Sequence, residues 1–236
     1  MKTKTVARDF VMPFAVAAVG ALGAIPGRAG SDPVALLAWI SILAAPAGFL
    51  CGSAGVPHLA LAALPPGAWM GLAAIVDGLS PRDLPSPAWA ALAWSGLYAA
   101  GFGLGRWRSG TGFGGAAALF LLASLMAAIP IVPGTLGSPL PPPVEARLLD
   151  LSPATLVEEC AGIDWTRNPV IYDAAGSADI DPSLRLPYRG PLAGPIAFVV
   201  GCLLAAAGEG IARARSKAET TEPWPSTNIS APSPRT

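Results

Sequence analysis

Six apolar stretches, at about residues 10–26, 34–51, 58–76, 88–105, 115–134 and 191–212, constrain this 236-residue chain more than any other feature. At 1.5 Å per residue each reaches, or nearly reaches, across a hydrocarbon layer about 30 Å thick. Backbone N–H and C=O groups find no water in such a layer, so the stretches are expected to be helices. None alternates apolar with polar residues as a membrane strand would. Hydrophobic residues make up 53% of the chain and charged residues 13%. That is about half the charged share of an ordinary soluble domain, too little to cover a soluble surface. The expectation is an all-α integral membrane protein of about six transmembrane helices, with a partly helical extracytoplasmic segment between helices five and six.

The connecting charges give a direction. Lys2, Lys4 and Arg8 precede the first stretch, Arg106 and Arg108 follow the fourth, and Arg213, Arg215 and Lys217 follow the sixth. With six crossings these three regions fall on one side, and basic loops mark the cytoplasmic side. The opposite side receives Arg28 and Asp32, then Asp77, Arg82 and Asp83, then the long connection 135–190. That connection holds eight acidic and four basic residues, a net charge of minus four. The expected layout is a five-helix region 1–134, an extracytoplasmic segment 135–190, a sixth helix 191–212 and a disordered cytoplasmic tail 213–236. Both termini are then cytoplasmic, in a bacterial inner membrane. A cleaved signal peptide is the competing reading of the start, with MKTKTVAR as its basic region and the run to Ala24 as its apolar core. Asp9 and Pro13 fit it less well, and cleavage would leave five helices without moving the others.

Segment 135–190 opens on Pro139-Leu140-Pro141-Pro142-Pro143, a stiff extended spacer. A helix over 153–161 is expected next, with Ser152 at its N-cap, Pro153 at the first helical position and Gly162 just past its end. Leu149, Leu156, Cys160 and Ile163 share one side of it, so it can lie on the membrane surface or fold back into the bundle. Trp165, Tyr172 and Tyr188 read as interfacial anchors. The tail from Ala218 is rich in Ser, Thr, Pro and Glu, and its Asn228-Ile229-Ser230 glycosylation pattern is without consequence on a cytoplasmic side.

Residues that carry chemistry are few. Asp77, His58 and Glu209 all fall near ends of apolar stretches, where each can reach an interface, and Glu209 is expected to pair with Arg213 one turn on. A single histidine supports neither a histidine-rich metal site nor a bis-histidine haem. Gly52-Ser53-Ala54-Gly55 beside His58 lacks the orienting acid and oxyanion site of a serine hydrolase. Asp179 and Asp181, with Asp173 upstream, are spaced as a divalent-ion pair can be, but Arg185 and Arg189 lie close enough to neutralise them. Three scattered cysteines, Cys51, Cys160 and Cys202, form neither a disulfide framework nor a thiolate metal site. No phosphate-binding glycine loop exists, and no basic, aromatic-interleaved stretch points to nucleic acid. No catalytic, cofactor-binding or metal residue is assigned, and no cofactor is expected.

Glycines four apart recur at Gly23/Gly27, Gly48/Gly52, Gly67/Gly71, Gly101/Gly105 and Gly190/Gly194, each able to flatten a helix face for close contact. The expected partners are therefore the lipid bilayer and other membrane subunits. The function expected is that of a non-catalytic subunit of a membrane complex such as a transporter. The layout resembles that of the permeases of ABC-2-type exporters, in topology and with no shared motif. It departs from them at the start, where eight residues leave little room for their amphipathic cytoplasmic helix. The alternative is a membrane-embedded enzyme acting on lipid or glycan at the outer face through carboxylates of segment 135–190.

Overall fold

A computed structural model of the chain describes residues 33–54, 85–108, 112–128, 151–162 and 190–221. These form five helices, α1 (Pro33–Ser53), α2 (Pro85–Trp107), α3 (Gly112–Ala128), α4 (Pro153–Cys160) and α5 (Gly190–Thr221), and there is no strand among the described residues. The apolar stretches at 10–26 and 58–76 lie outside the described residues, as does segment 135–190 except around α4. One described helix, over Leu192–Ala218 of α5, is long and apolar enough to cross a membrane. The apolar parts of α1 and α3, Leu37–Ser53 and Phe113–Ala128, are shorter.

The boundaries move outward where helix-forming residues flank an apolar run. α2 begins at Pro85, whose fixed φ suits a first helical turn, and ends at Trp107. α5 runs nine residues past the expected boundary at 212, through Ala-Arg-Ala-Arg-Ser-Lys-Ala-Glu to Thr221. Alanine, arginine, lysine and glutamate are strong helix formers, so residues 213–221 continue the helix in place of opening a disordered tail. α3 is described over Gly112–Ala128, and residues 129–134 of the expected stretch lie outside the described residues.

Contacts between helices fix their directions. Ala45 of α1 lies beside Gly101 of α2, and Phe49 beside Gly105, so the two helices run parallel. Trp89 of α2 meets Gly194 of α5, Gly96 meets Gly201, and Gly103 meets Gly208, so α2 and α5 are parallel too. α3 runs the other way, because Trp39 of α1 packs edge-on to Phe120 while Phe49 meets Gly115. α2 is the spine: α1 covers one side of it and α5 another, and α4 packs against all the other helices. The core is built from Ile40, Ala44, Ala47 and Cys51 of α1, Ala90, Ala93, Trp94, Tyr98, Ala99 and Phe102 of α2, Val157 and Cys160 of α4, and Ala205 of α5.

Candidate functional site

Polar groups and small residues are concentrated along α2, and they do three different things. On the α1 side, Gly48 and Gly52 face the backbone of Tyr98 and Phe102, while Gly101 and Gly105 face that of Ala45 and Phe49. A Cβ at any of the four would strike a carbonyl oxygen of the other helix. Two of the four-spaced pairs singled out from the sequence thus interlock with each other. Around this crossing, large groups close the gap. Trp94 stacks on Tyr98 with centroids 5.6 Å apart, and its indole Nε1–H donates across to the Ile40 carbonyl at 3.0 Å. The Ser53 hydroxyl, the only serine of the Gly-Ser-Ala-Gly run, donates to Leu50 O of its own helix at 3.0 Å. His58 and Asp77 lie outside the described residues, as do Asp173, Asp179, Asp181, Arg185 and Arg189.

On the α5 side the spacing is seven. Gly96 and Gly103 of α2 face Ala197 and Leu204, and Gly194, Gly201 and Gly208 of α5 face Trp89, Gly96 and Gly103. Seven residues is two turns less about 20° of rotation, so a seven-residue repeat stays on one face far longer than a four-residue one. This seam is missing from the sequence reading, which sought glycines four apart and paired Gly194 with Gly190. A search at spacing seven finds it directly.

The same repeat places Arg215 seven residues beyond Gly208, and there a side chain replaces the glycine. Its Nη1 donates to the carbonyl of Trp107, the last residue of α2, at 2.6 Å. A cation thereby caps the free, partly negative C-terminal end of α2. Six residues earlier on α5, Glu209 is held by one edge of the Arg106 guanidinium, Nε at 2.6 Å and Nη2 at 3.0 Å. The expected Glu209–Arg213 pair is also present, longer at 3.4 Å and with the Arg213 side chain 76% exposed. The dominant partner of Glu209 is therefore on another helix, a fork-to-carboxylate geometry that fixes α5 against α2 in rotation and height.

α4 takes the second of its two expected positions, folded into the bundle. Ser152 stands at the N-cap with extended backbone (ψ 124°) and Pro153 follows it, but the Ser152 side chain makes no capping bond. Its Oγ is buried with no hydrogen-bond partner among the described residues, while its carbonyl accepts from the Thr155 hydroxyl at 3.1 Å. Gly162 ends the helix in the left-handed region at φ 75°, its N–H bonded to Glu159 O at 3.1 Å. Of the expected face, Cys160 is buried and Leu156 packs against the core, while Leu149 and Ile163 lie outside the described residues; burial also reaches well beyond that face. Leu156 is only half-buried, whereas Pro153, Ala154, Thr155, Val157, Glu158 and Cys160 are all buried. Glu158 is 2% exposed, a carboxyl group carried into the interior by its place beside Val157 on the stripe 154, 157, 158, 161. So enclosed, a carboxyl group needs a donor, a cation or a proton of its own. Burial, then the neighbouring Glu159 carboxylate, pushes the Cys160 thiol up to about 11, which leaves it a poor nucleophile at neutral pH.

No group of His, Cys, Asp and Glu able to hold a metal ion exists among the described residues. The chain matches no family model, no curated protein and no solved structure.

Proposed function

We propose that this chain is a multi-pass protein of a bacterial inner membrane and a non-catalytic subunit of a membrane complex, with a layout like that of an exporter permease. The observation that carries this is the set of helix directions. α1, α2 and α5 correspond to the second, fourth and sixth apolar stretches and run parallel, while α3, the fifth, is antiparallel to them. Those directions are what six crossings in sequence would give. The outer side of α5, with Leu192, Val199 and Leu203 more than half exposed, is a surface that lipid would cover. The basic residues after α2 and α5 gather at one end of the bundle, as a cytoplasmic face would have them. What α2 offers on both sides is close packing of backbones, an assembly device with no nucleophile, base or oxyanion site in it.

Two measurements test this. Labelling of Ser177→Cys and Ser226→Cys in intact cells is expected at 177 and not at 226; the reverse pattern would overturn the orientation. Purification of the full chain in mild detergent is expected to bring a second membrane polypeptide in fixed stoichiometry.

A second reading draws on Glu158. A membrane-embedded enzyme using a carboxylate of segment 135–190 would have Glu158 as the group already enclosed by helices. It predicts that the purified chain turns over substrate alone and that Glu158→Gln abolishes turnover without lowering accumulation.

A further inference from the structure

α1 and α5 take opposite sides of α2. Gly101 faces α1 and Gly103 faces α5, two positions that lie about 200° apart on a helix. A groove therefore runs along α2 between its two neighbours, and α4 fills part of it, packed at once on α1, α2 and α5. Val157 and Cys160 are its contribution to the core that the three helices share. Besides α2, it is α4 that ties α1 to α5.

α4 is poorly matched to this place. With eight residues it makes about 12 Å of helix, too few to stay helical without its neighbours. Docking buries Ser152, Thr155 and Glu158 along with Val157 and Cys160, yet leaves Leu156 half-buried and Leu151 65% exposed. The Ser152 residue is 0% exposed and its Oγ has no hydrogen-bond partner among the described residues. Docking thus forfeits a bond that water would supply. Released, the segment hydrates that hydroxyl and the Glu158 carboxyl and turns its leucines to an apolar surface. We propose that α4 is a wedge that leaves and re-enters the groove on α2 while the four long helices stay packed, so that the tie between α1 and α5 is made and broken without unfolding the bundle. That α4 leaves the groove does not depend on the membrane reading above; that it then lies on a lipid surface does.

Two reporters are already in place, Cys51 of α1 and Cys160 of α4, 1% and 2% exposed. The full chain carrying C202A is purified in mild detergent and treated with N-ethylmaleimide, and the two thiols are followed separately by peptide mass. Cys160 is expected to react roughly a hundredfold faster than Cys51, since local opening needs far less free energy than global opening. S152A removes the unbonded hydroxyl and should slow Cys160 about fivefold. V157A strips buried methyl groups from the wedge and should speed it roughly tenfold. Neither variant should change the rate at Cys51. Equal rates at the two thiols in the parent, or variants that shift both thiols together, mean that α4 opens only with the whole bundle and overturn the proposal. No reaction at Cys160 while the chain stays folded overturns it too. So does a Cys160 that reacts fast but is indifferent to both variants, a thiol reached without release. A chain recovered without detergent, from the soluble fraction, sinks the membrane reading and leaves the comparison of the two thiols intact.

Discussion

The two sides of α2 solve the same packing problem in different ways. Toward α1, two pairs of glycines four apart interlock and keep backbones in contact from Ala45 to Ser53 against Tyr98 to Arg106, about 12 Å of axis at 1.5 Å per residue, and aromatic rings fill the space beyond. Toward α5, glycines seven apart keep backbones in contact from Trp89 to Gly103 against Gly194 to Gly208, about 21 Å of axis at 1.5 Å per residue. A four-residue spacing drifts off its face by about 40° per step and suits a local crossing, while a seven-residue spacing drifts by about 20° and suits a seam. The α1 contact is a shorter crossing reinforced by a buried hydrogen bond from Trp94. The α5 contact is a line, closed at its end by an ion pair and a helix cap.

If the seam is a line of backbone contact, its middle is the most sensitive place in the molecule. Gly201→Leu puts a side chain against the Gly96 backbone, which has nowhere to move without parting the helices along their length. Its cost should be about 3 kcal/mol, the upper end of the overpacking range, read as a fall in thermal midpoint in detergent. Gly105→Leu meets Phe49 and Ser53 at the local crossing, where α1 can tilt, and about 2 kcal/mol is expected. Equal costs at the two sites would erase the distinction between long seam and short crossing.

The ends of the seam should be less sensitive. Arg106→Gln leaves Glu209 with only the longer bond to Arg213, and because both side chains of the broken pair are partly exposed the loss should be about 1 kcal/mol. Raising the salt concentration should shrink the difference between this variant and the parent. Gly210 gives the smallest effect and the opposite sign. A Cβ there meets nothing within 4 Å, so Gly210→Ala should stabilise by about 0.5 kcal/mol through helix propensity alone. A destabilising result in denaturation of the isolated chain would mean that this face of α5 is covered within the chain.

The legible and illegible parts of this fold divide by the range of the interaction. The helical stretches α1, α2, α3 and α5 follow from apolar length, and the α4 boundaries from Pro153 and Gly162. The Gly48/Gly52 and Gly101/Gly105 faces were legible because their spacing is local. Arg106–Glu209 was not, since Arg213 supplies a sufficient local partner and the tertiary one requires knowing that α2 and α5 are parallel and level. Nor was Glu158. Helical periodicity assigns a buried face to an amphipathic helix, but α4 is enclosed on nearly every side, so burial there is decided by its neighbours. The Ser152 hydroxyl shows the same limit, as the residue occupies the cap position without making the cap bond that its type suggests.

The parallel seam is the central claim, and cysteine cross-linking reads it directly. In a background with Cys51, Cys160 and Cys202 replaced by alanine, Arg108→Cys at the end of α2 is combined with Arg213→Cys near the end of α5, or with Leu192→Cys near its start. A short bismaleimide should join 108 to 213 in high yield and leave 108 with 192 unjoined, because the contacting pairs keep Gly103 beside Gly208 and Trp89 beside Gly194. A cross-link between 108 and 192 in place of 108 and 213 would contradict the account.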